Sequence, residues 1–272
     1  MSILPGSNYG SMRSRADVLR ELNLYPLWQL RSRPADIPAS EVPKDVSIEL
    51  PVHTAPMLES SVQPEIIGAE TGDLNWAQLK KRVAECTACE LRSGCIQTVF
   101  GTGDKNADWL FVGSWPTEDD EAKGEPFAGQ AGQLLDNMLA AIGLKRGVNV
   151  YLANVVKCSG SIKRGPQKSE INRCSPYLMR QIQLIQPGVV VALGHAAATA
   201  MLGEDAEWSS LLGKVHAFRN FSNDESLKTI PLIITHHPAA LLLAPANKAQ
   251  VWQDLCLARG IMQSLPDRKL EQ

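Results

Sequence analysis

Long apolar runs are missing from this chain of 272 residues. None approaches the ~20 residues that a membrane-spanning helix needs. A leader is missing too: Met1-Ser-Ile-Leu-Pro-Gly6 has no basic stretch followed by an apolar run of signal-peptide length. Both absences point to a cytoplasmic protein with no membrane partner. Cysteine is scarce, with six in all, too few for a disulfide scaffold. In a reducing compartment that leaves metal ligation or buried thiols. Excess positive charge is also lacking. A net charge of -2 excludes a uniformly basic nucleic-acid binder, although it leaves room for local basic patches. What is plentiful is apolar character: 44% hydrophobic residues are enough for the core of one medium domain with an appendage.

The appendage comes first. Residues 1–11 carry Gly, Ser, Asn and Pro without periodicity, and residues 1–33 together read as an arm. Ser14 and Asp17 match a capping box, and Val18, Leu19 and Leu22 stripe one face of the short helix that would follow. Leu24, Leu27, Trp28 and Leu30 continue the apolar character, while Arg13, Arg15, Arg20, Arg31 and Arg33 leave the arm locally positive. So short a helix is not stable alone and needs a partner surface. Residues 34–70 read as a linker, with six prolines between Pro34 and Pro64. An apolar arm on a proline-rich tether is how a peptide ligand is presented to another protein. The partner-binding candidates are Leu22, Leu24, Trp28, Leu30 and Arg31.

Residues 71–272 read as one α/β domain. Asn75 can cap a helix that buries Leu79 and Val83 and runs into Cys86 and Cys89. Apolar strands follow at 109–112, 149–156, 189–193 and 230–235, separated by helices around 134–142, through Leu178, Ile182 and Ile185, from an alanine-rich run to Leu202, and at 247–263. Near-continuous apolar strands alternating with helices predict a central four-stranded parallel sheet covered on both faces. Ligands of such sheets sit at the C-terminal ends of the strands. That rule makes Gly113-Ser114-Trp115-Pro116, Asn154 and His237 neighbours.

Four cysteines fall into two pairs, Cys86-x-x-Cys89 and Cys158-x15-Cys174. Thiolates in such a set hold zinc or an iron–sulfur cluster, and the alternative is that they are small buried apolar residues. Cys95 and Cys256 have no partner pattern and read as structural thiols.

The runs Val99-Phe-Gly-Thr-Gly103, Gly124-Glu-Pro-Phe-Ala-Gly-Gln-Ala-Gly-Gln-Leu-Leu135, Asn154-Val-Val-Lys-Cys158 and His237-Pro-Ala-Ala-Leu-Leu242 occur in one order. Together they resemble the family 4 uracil-DNA glycosylases over roughly residues 75–263. The resemblance implies a uracil-DNA glycosylase-like fold and a 4Fe–4S cluster held by Cys86, Cys89, Cys158 and Cys174. It further implies Phe127 as the platform that stacks a flipped uracil, Gly113 and Asn154 as further substrate-binding residues, and His237 as the group that stabilises the departing base. The plain alternatives are a core phenylalanine, a strand-end asparagine and a turn histidine before proline.

Five positions depart from the family pattern. Ser114 replaces a carboxylate, Trp115 a small residue, Thr117 a glycine, Lys163 the asparagine of an Asn-Arg pair, and Leu243 an arginine. The acidic run Glu118 to Glu121 persists, so Asp120 or Glu121 could hold a water in an active enzyme. Lys157, Lys163, Arg164 and Lys168 form a positive loop with no acid among them, and Lys163 and Arg164 are the candidates for weak or single-stranded DNA binding.

The arm has its own resemblance. Ser14-Arg15-x-Asp17, Leu22-x-Leu24, Trp28-x-Leu30-Arg31 and Arg33-Pro34 look like the N-terminal peptide of the psi subunit of the bacterial DNA polymerase III clamp loader. The primary expectation is therefore a clamp-loader adaptor on a glycosylase-like iron–sulfur fold, with little or no glycosylase activity, bridging to another replisome subunit or to DNA. The alternative is an active family 4 glycosylase that the arm recruits to the replisome.

Overall fold

The computed structural model describes residues 71–159, 164–203, 207–218 and 229–265. Its strands are β1 (Thr102–Gly103), β2 (Trp109–Gly113), β3 (Val150–Asn154), β4 (Val189–Leu193), β5 (Val215–Phe218) and β6 (Ile230–Thr235). They form one sheet in the order β1-β3-β2-β4-β6-β5. The four central strands are parallel, as expected from their apolar runs. The expected four-stranded sheet is widened by two antiparallel edges, β1 on β3 and β5 on β6. Neither edge carries the signal of a buried strand. β1 is only two residues long and includes Gly103 at φ 131°, and β5 buries Phe218 alone.

The helices are α1 (Trp76–Ala84), α2 (Glu118–Lys123), α3 (Gln130–Ala141), α4 (Lys168–Ile185), α5 (His195–Leu202), α6 (Trp208–Leu211), α7 (Pro238–Leu243) and α8 (Lys248–Ser264). Asn75 caps α1 as predicted: its side chain accepts the Gln78 N–H at 3.0 Å while Gln78 Oε1 accepts the Asn75 N–H at 2.9 Å. Pro176 lies inside α4 and cannot serve the Asn172 carbonyl, so the Ser175 hydroxyl donates to that carbonyl at 3.3 Å.

Two cores flank the sheet. On one face Leu110, Val112, Tyr151, Ala153, Val190 and Ala192 pack against Leu79 and Val83 of α1, Leu178 and Ile182 of α4, and Met201 of α5. On the other, Phe111, Leu152, Val191 and Ile233 pack against Leu135 and Leu139 of α3 and Val251 and Leu255 of α8. Strand residues alternate between the two cores, as the period of two requires. Each fully buried Leu, Val or Phe stabilises the fold by roughly 1.5–3 kcal/mol. No described helix is long and apolar enough to cross a membrane.

The register matters most for function. Gly113 pairs with Asn154 and Leu193 with Thr235, so the central strands end level along one edge. The arm and linker, with Leu22, Leu24, Trp28, Leu30 and Arg31, lie outside the described residues.

Candidate active site and metal centre

At that edge three predicted residues crowd together. A Cβ on Gly113 would strike Asn154 Oδ1 and would stand 2.6 Å from Phe127 Cζ. Only a bare Cα fits between them. Asn154 is buried, yet its side-chain amide takes no hydrogen bond from the described residues. Nor is it sealed off, because the only buried side-chain oxygen or nitrogen left without a partner among the described residues is Thr199 Oγ1. An amide that is open in this way can donate and accept at once, as the edge of a nucleobase requires.

The Phe127 and His237 rings lie 5.7 Å apart with 29° between their planes. His237 is the N-cap of α7, and its Nδ1 accepts the Ala239 N–H at 3.2 Å. Because that nitrogen is an acceptor, the proton of the neutral ring resides on Nε2, which is left as a donor. Burial pulls the imidazole pKa down to about 4, with the Asp120 charge working against it. At neutral pH the ring is therefore uncharged.

Asp120, a candidate to hold a water, has a structural task. Its Oδ2 accepts the Thr117 N–H at 3.0 Å and its Oδ1 the Ala128 N–H at 2.6 Å, so it closes a capping box on α2 and ties that helix to the Phe127 loop. The sequence signal was present as Thr117-x-x-Asp120, hidden inside an acidic run. Glu121 is committed as well, with Oε2 on the Ile96 N–H at 3.0 Å and Oε1 on the Ser159 N–H at 2.7 Å. Burial raises its proton affinity, but hydrogen bonds from Cys95, Ser159 and Ile96 outweigh burial and hold the carboxyl below its usual range.

The rim carries the departures. Trp115 is 38% exposed, and its indole leans on the loop at Gly165, where a Cβ would stand 3.4 Å from the ring. Leu243 is 89% exposed. The described residues of the basic stretch are tied into the fold. Arg164 donates to both carboxylate oxygens of Glu170 at 2.8 Å, and Lys157 is wholly buried. Lys163 lies outside the described residues.

Cys86, Cys89, Cys158 and Cys174 line one cavity, together with Arg92, Arg173, Lys157 and Tyr177. They come from the end of α1, the start of the 3-10 turn Glu90–Gly94, the loop after β3, and the second turn of α4. None is in a disulfide. Among the described residues no cysteine, histidine or acid group is drawn tightly enough to chelate a single ion; these four thiols surround a space instead. Burial pushes the Cys174 thiol up to about 12 and the Cys158 and Cys89 thiols up as well. Thiols this reluctant to ionise become thiolates when a metal displaces their protons. Two guanidinium groups and a buried ammonium in the wall would balance the resulting negative charge. The backbone N–H of Lys157 already donates to Cys174 Sγ at 3.3 Å. The donor set fits an iron–sulfur cluster.

Lys157 also donates through Nζ to the Asn154 carbonyl at 2.8 Å and to Gln181 Oε1 at 2.7 Å. Burial pulls its pKa down to about 8, against the pull of Cys174 and Cys158. Cys95, which has no partner pattern in sequence, has partners in the fold. Its thiol donates to the Gln97 carbonyl at 3.1 Å and lies beside Glu121 and Cys158.

An aromatic ring, an open amide and a neutral imidazole gathered at the strand ends make this edge of the α/β sheet the candidate site for a planar, hydrogen-bonding ring. The comparisons make that class specific. The model of the uracil DNA glycosylase superfamily matches residues 100–256, and the chain belongs to that superfamily. It is 36% identical to a type-4 uracil-DNA glycosylase of Archaeoglobus fulgidus over 178 residues, which are 64% of this chain and 86% of the relative. A Sulfurisphaera tokodaii protein of the same name is 37% identical over 62% of this chain and 76% of its own length. A third, from Thermotoga maritima, is 34% identical over 68% of this chain and 93% of its own.

Proposed function

We propose that this chain is a uracil-DNA glycosylase, and that its altered rim slows the chemistry without abolishing it. The observation that carries this reading is the meeting of Phe127 and Asn154 over the bare Cα of Gly113, with the His237 ring stacked beside Phe127. A flipped uracil would stack on Phe127, pair its edge with the Asn154 amide, and place a carbonyl oxygen within reach of the His237 Nε2–H. Hydrolysis breaks the N-glycosidic bond. The electron pair leaves with the base, its charge spreads to the oxygen that His237 faces, and water adds at the sugar carbon with loss of a proton. Asp120 and Glu121 are occupied by backbone N–H groups and Ser114 is no carboxylate, so water activation is the weak step. The gathering of Phe127, Asn154 and His237 at the strand ends favours the enzyme over an adaptor with an inherited, idle pocket, as does the identity to proteins named for this activity.

The 4Fe–4S cluster belongs to the proposal. Cys86, Cys89, Cys158 and Cys174 would hold it, and it would supply a rigid covalent tie between α1, the loop after β3 and α4. Binding of the clamp loader by the arm rests on the spacing of Leu22, Leu24, Trp28, Leu30 and Arg31 in the sequence. In this reading that contact recruits the enzyme to newly made DNA.

The test is uracil release from a single-stranded uracil-containing oligonucleotide, by cluster-loaded protein beside Phe127→Ala and Asn154→Ala. Release by the parent protein and a loss of about a hundredfold or more in each variant is expected. A parent protein that binds iron and releases no uracil would return the weight to the adaptor. Retention on the clamp loader that Trp28→Ala leaves unchanged would remove the recruitment role.

A further inference from the structure

Phe127 holds its backbone at φ 58°, a left-handed conformation that a bulky side chain rarely adopts. Such a conformation persists where its surroundings over-determine it. Arg146 Nη1 donates to the Pro126 carbonyl at 3.0 Å and Nη2 to the Phe127 carbonyl at 3.1 Å. The same guanidinium is aimed by Nε, which donates to Asp136 Oδ1 at 2.8 Å. Asp136 stands on α3 and Arg146 in the turn between α3 and β3, so the fork is mounted on the scaffold. Downstream, the Ala128 N–H is held by Asp120 and the Ala128 carbonyl by Lys123 Nζ at 3.1 Å. Gly132 has no Cβ, and one would collide with the Phe127 carbonyl. Asp120 and Lys123 hold only the next residue. Among the side-chain contacts described here, those to the carbonyls of Pro126 and Phe127 come from Arg146.

We propose that Arg146, oriented by Asp136, is a positioning residue for base stacking. Its fork on two successive carbonyls keeps Phe127 left-handed and so sets the face on which the base lies. This inference rests on the uracil reading of the pocket. A lysine would keep the charge and lose the planar fork, so it does not substitute.

The experiment combines Arg146→Ala and Arg146→Lys with Phe127→Ala and reads two quantities. The first is single-turnover uracil release. Arg146→Ala slows it between about tenfold and about a hundredfold, Arg146→Lys does not restore it, and added methylguanidinium restores part of the loss in Arg146→Ala. In the Phe127→Ala background the same change costs nothing further. The second is amide hydrogen exchange, which rises at Ala128 and Gly129 in Arg146→Ala while the sheet stays protected. An equal fractional loss in both backgrounds overturns the proposal, and so does unchanged exchange at Ala128. Asp136→Asn, milder in its effect on folding, gives the same pattern at smaller size. If the parent protein releases no uracil, the exchange still decides whether Arg146 clamps the loop, and only the uracil reading falls.

Discussion

The cysteine cage and the base pocket are separated by three residues of chain between Asn154 and Cys158, yet they are built on opposite principles. The cage closes on its contents: its thiols are walled by cations, and Cys174 already accepts an N–H. The pocket holds its groups open, with an unpaired amide, a ring in a strained backbone, and a neutral imidazole. Under the proposed function a permanent cluster and a transient base would demand this difference. Lys157 belongs to both, with its N–H on the cage sulfur and its Nζ on the carbonyl of the pocket asparagine. Damage should therefore pass from cage to pocket and not in the other direction.

Cys174→Ala gives the largest expected effect. It removes the proposed ligand on α4 and frees the Lys157 backbone N–H, so cluster absorption, folding and uracil release are expected to fall together. A drop of roughly 10 °C or more in melting temperature is expected, since several kcal/mol are lost from a domain of this size. Phe127→Ala, at the other pole, loses some stability from the core it packs in but should leave the absorption near the parent value. A Cys174→Ala protein that melts with the parent would break the asymmetry.

Ser114→Glu probes the pocket rim from the opposite direction. Ser114 directly follows Gly113 at the end of β2, and its carbonyl accepts the Val156 N–H at 3.0 Å, which fixes the backbone beside the edge where Gly113 and Asn154 meet. In the proposed mechanism a carboxylate there would supply a base that no backbone N–H already occupies. An increase in single-turnover release of about tenfold is expected, in the lower range for general-base catalysis. Release unchanged, in a protein with normal iron content, would show that water activation is not the weak step.

The four central strands and the convergence of Gly113, Asn154 and His237 were legible from apolar runs and the strand-end rule alone, because both depend on local pattern. The pairing of Cys86 and Cys89 with Cys158 and Cys174 needed family resemblance, since spacing leaves zinc, cluster and buried thiol open. Three features were beyond reach. Lys157 reads as one more basic residue, and only the fold shows that Gln181 and a backbone carbonyl wait for it. Asp120 reads as acid chemistry until Ala128, eight residues later, turns out to use it. Arg164 lacks an acid among its immediate neighbours, but one turn into α4 Glu170 takes both its arms. In each case a charge finds its partner through tertiary contact or across a turn, which sequence pattern does not record.

The smallest expected effect is on stability against pH, and it belongs to the pocket alone. His237 titrates near 4 in the folded protein because burial disfavours its charged form, whereas an unfolded histidine titrates near 6.5. Between those values the unfolded chain binds more protons, so stability is fully present above about pH 6.5 and falls as pH drops through the window. Glu121 and Glu170, whose carboxyls are held below their usual range, add their own losses only further down. Urea unfolding at pH 7, 6 and 5 therefore isolates the histidine. His237→Asn keeps an acceptor for the Ala239 N–H and removes the titration, so its stability should decline less over this range than that of the parent. Parallel decline in both proteins would mean that the folded ring titrates like the unfolded one, and that burial does not hold the imidazole neutral as pH falls.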